Sequence, residues 1–233
     1  MGGSGGRIVI LGSNFEIDDR HKFVTAGGMQ EMEKGETAQT CANGGPGTVF
    51  TRNLDEKSFV SIKNGNFTSE KVTFLMPSKT GFVADIIHIE YNAVVHITGS
   101  KLTASELVIL GNSTLELDSK EKLFELTVSE QLTSDNNSTI NLNQAQSVLI
   151  TCEPPESGVK CKDFQIGNLY FSDRLEIIAE RAFFHGKINS PNSALAETSE
   201  VYIRVDKTIV LGLNSQLEAA RIFIHSQENM YLF

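Results

Sequence analysis

Asp18-Asp19-Arg20-His21 is an uninterrupted run of titratable side chains: two carboxylates, a cation and an imidazole. Inverting glycosidic hydrolysis needs two or three carboxylates facing one groove, one holding a proton across a gap wide enough for water. Neighbouring residues on a strand point to opposite faces, so only one of Asp18 and Asp19 can face such a groove. A solvated turn is the plainer reading. Calcium is conceivable at Asp18, Asp19 or Asp118, but no spacing matches a known ligand loop. Gly2–Gly6 leads into Gly-Arg-Ile where a phosphate loop needs Gly-Lys-Ser/Thr at a helix start. No nucleophile elbow or dinucleotide fingerprint is found either. The chain therefore offers no catalytic, cofactor or metal residue, and no cofactor is expected.

His185-Gly186, followed by Lys187, is similar to the His-Gly pair of polygalacturonases, but it lies far from Asp18-Asp19 and lacks an Arg-x-Lys in register. Phe183-Phe184 and Leu169-Tyr170-Phe171 read as core ladders; an aromatic sugar platform is the alternative. Cys152 and Cys161 bracket Glu153-Pro154-Pro155-Glu156-Ser157-Gly158, a turn-rich insert whose ends a disulfide would close, leaving Cys41 alone. Neither spacing is C-x-x-C, and histidine is scarce nearby, which argues against zinc. N-glycosylation sequons begin at Asn66, Asn112, Asn136 and Asn137. With the cysteine-bounded loop they point to an extracellular or cell-surface setting.

The elements that position these residues are set by apolar pairs at i, i+2. One series runs Ile87/Ile89, Leu107/Ile109, Leu126/Val128, Val148/Ile150, Leu169/Phe171, Val201/Ile203 and Ile222/Ile224, in steps of 20, 19, 22, 21, 32 and 21 residues. A second interleaves with it: Val95/Ile97, Leu115/Leu117, Ile140/Leu142, Phe164/Ile166, Ile188, Leu211 and Phe233. Spacing of two means strands. Punctuation such as Tyr91-Asn92, Gly111-Asn112-Ser113 and Gly167-Asn168 separates them. A flat coil cannot bury its own apolar faces, whereas stacked coils share a continuous core. The expected fold is an all-β, right-handed parallel β-helix of about 20–25 residues per coil, some ten coils making a rod roughly 45–50 Å long. An antiparallel sandwich or jelly roll is the competing architecture. The long step before Val201 is expected to hold a loop near Asn189-Ser190-Pro191-Asn192. Leu175–His185 could pass for a helix, but Leu175/Ile177 also fits a strand.

Organisation follows as one continuous domain. Residues 1–71 form glycine-rich coils with short strands at Arg7–Ile10 and Thr48–Phe50 and a projecting loop over Met29–Asn43. Residues 72–233 form regular coils with the insert at 152–161. The net charge of −9, with both signs mixed along the chain, excludes the clustered cations that a nucleic-acid surface needs. No apolar run spans a bilayer. The start lacks the apolar stretch of a signal peptide, and Gly6 stands where a myristoylation signal has Ser or Thr. The apolar end Met230-Tyr231-Leu232-Phe233 reads as a strand cut from a longer chain.

Gly2-Gly3-Ser4-Gly5-Gly6-Arg7-Ile8-Val9-Ile10, Thr25-Ala26-Gly27-Gly28 and Gly44-Gly45-Pro46-Gly47-Thr48-Val49-Phe50 together resemble a recurring unit of very large glycine-rich surface proteins of plants, protists and bacteria. The resemblance covers residues 2–50 by motif and implies a parallel β-helix stalk in an extracellular, often membrane-anchored, giant protein, with no catalytic residues to carry over. The cysteine insert is not part of that unit. The expected function is a non-catalytic structural and adhesive solenoid segment. It would contact protein partners, copies of itself or glycans through its ends and faces. Parallel β-helices also host pectin lyases and glycoside hydrolases, so a carbohydrate-active or carbohydrate-binding protein is the alternative. An intracellular assembly protein is a third.

Overall fold

Alternation of apolar and polar side chains becomes alternation in and out of a sheet, and the chain repeats it at three positions in every turn. The structure, a computed structural model, describes residues 7–12, 47–53, 58–64, 72–75, 81–118, 120–152, 163–191 and 198–233. The described chain is all β, a parallel solenoid of about six turns with no helix.

The first strand position starts at β5 (Phe82–Val83). It continues through the leading halves of β8 (Lys101–Leu110) and β10 (Glu121–Ser134), then β12 (Ala145–Thr151). The leading halves of β15 (Arg174–Phe184) and β17 (Glu200–Leu211), and finally β19 (Arg221–Ser226), complete it. Its inward ladder is Phe82, Leu102, Leu126, Ile150, Ile177, Ile203 and Ile224, each paired in parallel register with the next.

The second position runs from β3 (Phe59–Lys63) through β6 (Ile86–Glu90) and the trailing halves of β8 and β10 to β13 (Asp163–Ile166). It then takes the trailing halves of β15 and β17 and ends at β20 (Asn229–Leu232). Shifts of register between Val128 and Gln131 and between Ala179 and Arg181 mark where β10 and β15 bend from one position to the other, as an extra residue in one strand allows.

The third position is the separate seven-stranded sheet. It comprises β4 (Thr73–Leu75), β7 (Val94–Ile97), β9 (Thr114–Leu117), β11 (Thr139–Asn141), β14 (Asn168–Tyr170), β16 (Lys187–Asn189) and β18 (Gln216–Glu218). Its ladder is Thr73, Val95, Leu115, Ile140, Leu169, Ile188 and Leu217. At the N-terminal end, β1 (Arg7–Gly12) pairs in parallel with β2 (Gly47–Asn53), and β2 meets β3 antiparallel, which interrupts the common strand sense.

The three ladders enclose one core. Phe124, Phe164, Phe171 and Phe184 are its largest fully buried side chains, and Phe164 and Phe184 meet edge to face at 6.4 Å. Each buried Leu, Ile or Phe contributes about 1.5–3 kcal/mol, so every turn depends on the one beneath it for most of its stability. Outward positions stack as well: Lys63 with Glu90 at 2.6 Å, Lys187 with Glu218 at 3.1 Å and Arg221 with Glu200 at 2.9 Å. Being exposed, such pairs contribute at most about 1 kcal/mol each. Tyr202 stacks on Phe223 at 4.7 Å, below the Arg174 guanidinium at 4.6 Å. Desolvation in that stack, then the hydrogen bond its hydroxyl donates to Glu200 Oε2 (3.1 Å), raises the Tyr202 pKa above the usual phenol value.

The parallel stacking agrees with the sequence reading, but three of its details are corrected. Leu107, Leu126, Val148 and Leu169 do not share one ladder. Leu107 pairs with Leu132, Leu126 with Ile150, Val148 with Phe124 and Leu175, and Leu169 belongs to the other sheet. With three strand positions per turn, the coils number about six and not ten. The long step before Val201 holds a rung that the series missed, Leu175 and Ile177 in β15; the loop expected near Asn189-Ser190-Pro191-Asn192 falls between β16 and β17, where residues 192–197 lie outside the described residues. β15 also replaces the helix considered over Leu175–His185.

Candidate functional site

The functional candidates lie on two of the three corners that join the strand positions and on the final rung. The corner leading into the seven-stranded sheet is built from backbone laid on backbone. Gly111 N–H donates to Asp135 Oδ2 (2.8 Å), Ser113 N–H to Ser138 Oγ (3.3 Å) and Gly167 N–H to Ser134 Oγ (2.8 Å). Asn168 Nδ2 donates to the Asn136 carbonyl (2.8 Å), while its Oδ1 accepts from Lys187 N–H (3.1 Å).

Three of the four predicted sequon asparagines stand on this corner. Asn112 sits exposed at φ 59°, and Asn136 and Asn137 are exposed one rung away. The hydroxyls of Ser113 and Ser138 face inward and are buried. His185 is half-buried here and donates its backbone N–H to the Ile166 carbonyl at 2.9 Å.

Histidines elsewhere meet carboxylates across rungs. His88 Nε2 lies 3.0 Å from Glu106 Oε1. His96 lies 3.4 Å from Glu116 and 3.3 Å from Asp118, so the Asp118 considered for calcium faces an imidazole. Among the described residues no group of three or more His, Cys, Asp or Glu could hold a metal ion. Phe171 and Phe184 are buried, which supports the core-ladder reading of both aromatic runs. Cys152 is buried and disulfide-bonded. Asp18, Asp19, Cys41, Asn66, Cys161 and the loop over Met29–Asn43 lie outside the described residues.

The opposite corner, leading out of the seven-stranded sheet, carries a groove of about 690 Å³ that sequence patterning gave no means of finding. The start of β10 contributes Lys120, Glu121 and Lys122, and the turn into β12 contributes Asn143, Gln144 and Gln146. Phe171 and Ser172 after β14, with Pro191 after β16, complete it. Its described lining has one carboxylate, Glu121, so no carboxylate pair of the glycosidase type is assembled there. The arrangement is suited to binding a polar molecule.

The last rung is of a different kind. Ile222, Phe223, Met230, Tyr231, Leu232 and Phe233 are all exposed, Leu232 at 68% and Phe233 at 70%. Among the described residues β18, β19 and β20 each pair with one strand only, which leaves three backbone edges open there around the mouth of the core. No family model, curated protein or solved structure matches the chain. Among the described residues no helix is long and apolar enough to cross a membrane.

Proposed function

We propose that this chain is a non-catalytic structural and adhesive solenoid segment of a large extracellular or cell-surface protein, working by contact between stacked rungs. The observation that carries the reading is the final rung. It leaves apolar side chains and three strand edges exposed together, and such a surface invites a further layer of β structure. The ion-pair and aromatic ladders on the outward faces stiffen a rod without forming a reaction centre. Exposed Asn112, Asn136 and Asn137, aligned on one corner, support an extracellular setting in which glycans cover one edge of the rod.

Residues 1–233 on their own are expected to self-associate through this face. Sedimentation of the purified chain should show a mass that rises above the 25.6 kDa monomer as concentration increases. Ile222→Lys with Leu232→Glu changes two exposed side chains and should leave the fold intact. It should weaken association at least about tenfold, since charges then face an apolar contact. A native chain that stays at the monomer mass at every concentration would contradict the proposal.

The second reading, a carbohydrate-binding protein, is favoured by one specific feature, the groove at the other corner.

A further inference from the structure

We infer that the corner groove binds an acidic oligosaccharide, a chain of sugars bearing carboxylates. The inference deepens the carbohydrate-binding reading and does not depend on the final rung. Lys120 and Lys122 are both exposed and both line the groove, two residues apart on the segment leading into β10 and so about 6.6 Å from each other. Lys63, Lys101, Arg174, Lys187, Lys207 and Arg221 each meet a carboxylate. Among the described residues Lys120 and Lys122 have no ion-pair or hydrogen-bond partner, in a chain whose net charge is −9. Arg181 and Arg204 are likewise unpaired, but they do not line the groove. Two unpaired lysines lining one groove of an acidic protein form a local site for carboxylates.

The rest of the lining is suited to sugar hydroxyls. Parallel register sets Gln144 and Gln146 on the rung beside Lys120 and Lys122, both exposed. Amides both donate and accept hydrogen bonds, as vicinal hydroxyls do. Asn143 adds a third amide to the described lining. Phe171 lies under the floor and is fully buried, which leaves Pro191 as the one apolar side chain of the described lining that a peptide could meet.

Calorimetry with a uronic-acid oligosaccharide as probe, the full chain in the cell, tests this. Binding is expected to weaken as salt is added. Lys120→Gln with Lys122→Gln should reduce affinity at least about tenfold, while Arg181→Gln should leave it unchanged. Both lysines are exposed, so an unchanged melting temperature should show that the double variant is folded. Any of four results would overturn the inference: no binding of the probe, equal binding by the double variant, equal binding of a neutral oligosaccharide, or tighter binding of a poly-glutamate peptide. The terminal-rung variant should bind the probe normally, which separates this site from the association surface.

Discussion

Alanine at Gly167 should cost at least about 3 kcal/mol of folding stability, the largest effect expected for one methyl group in this chain. A Cβ at that position would stand 1.9 Å from the Asp135 carbonyl oxygen and 2.7 Å from its carbon. Both are backbone atoms of the rung beneath, held by their own ladder, so no side chain can rotate out of the way. The corner must open instead, stretching the bond from Gly167 N–H to Ser134 Oγ. Gly186 repeats the arrangement one rung on, its Cβ falling 2.5 Å from Gly167 C and O. Gly212 is the control, because its nearest neighbour, the Phe184 carbonyl oxygen, is 3.3 Å away and small shifts suffice. With roughly 2–4 °C of melting temperature per kcal/mol at this size, Gly167→Ala should lose at least about 6 °C and Gly212→Ala only about 2 °C. Equal effects at the two positions would mean that the corners are not stacked backbone to backbone.

Phe184→Ala should cost about 3–5 kcal/mol, and its neighbour Phe183→Ala less than about 1 kcal/mol. The two rings are adjacent in sequence and opposite in environment. Phe184 is 1% exposed and packs edge to face on Phe164, whereas Phe183 points outward and is half-buried. Deleting the inward ring leaves a cavity that neighbouring rungs cannot close, since each is fixed by hydrogen bonds on both sides. Thermal or denaturant unfolding of both variants reads the difference. A larger loss at Phe183 would place the inward face of β15 on the wrong residues.

The same in-and-out alternation was legible in the sequence, and it was enough to give a stack of parallel strands. Ile87/Ile89 over Leu107/Ile109, and Val95/Ile97 over Leu115/Leu117, pair as their spacing implies. Further along, the pattern misassigns rungs, and Ser134 shows why. It occupies an inward position on the rung above Ile109, buried at 1%. There its hydroxyl serves the Gly167 corner instead of the apolar core. An apolar repeat skips a serine and settles on Leu126/Val128, which belongs to a different strand position. Three positions carrying the same apolar signature cannot be told apart by periodicity, and turn lengths vary enough to let one series run into the next. The groove was illegible for a related reason. It gathers Lys120, Gln144 and Ser172 from three successive turns of a corner where no apolar period exists. The unpaired lysines become visible only once register shows which cations have acids beside them.

Rungs that follow one another in fixed parallel register underlie the core, the corners and the groove alike. Outward residues Thr103, Thr127, Thr151, Ile178, Arg204 and His225 form one such row. Dipolar distances between spin labels, one fixed at Thr103 and the other moved along the row, measure that register directly. They should grow by about 4.8 Å per rung and reach roughly 24 Å at His225. Distances that rise and fall along the row, as an antiparallel sandwich would give, would contradict it.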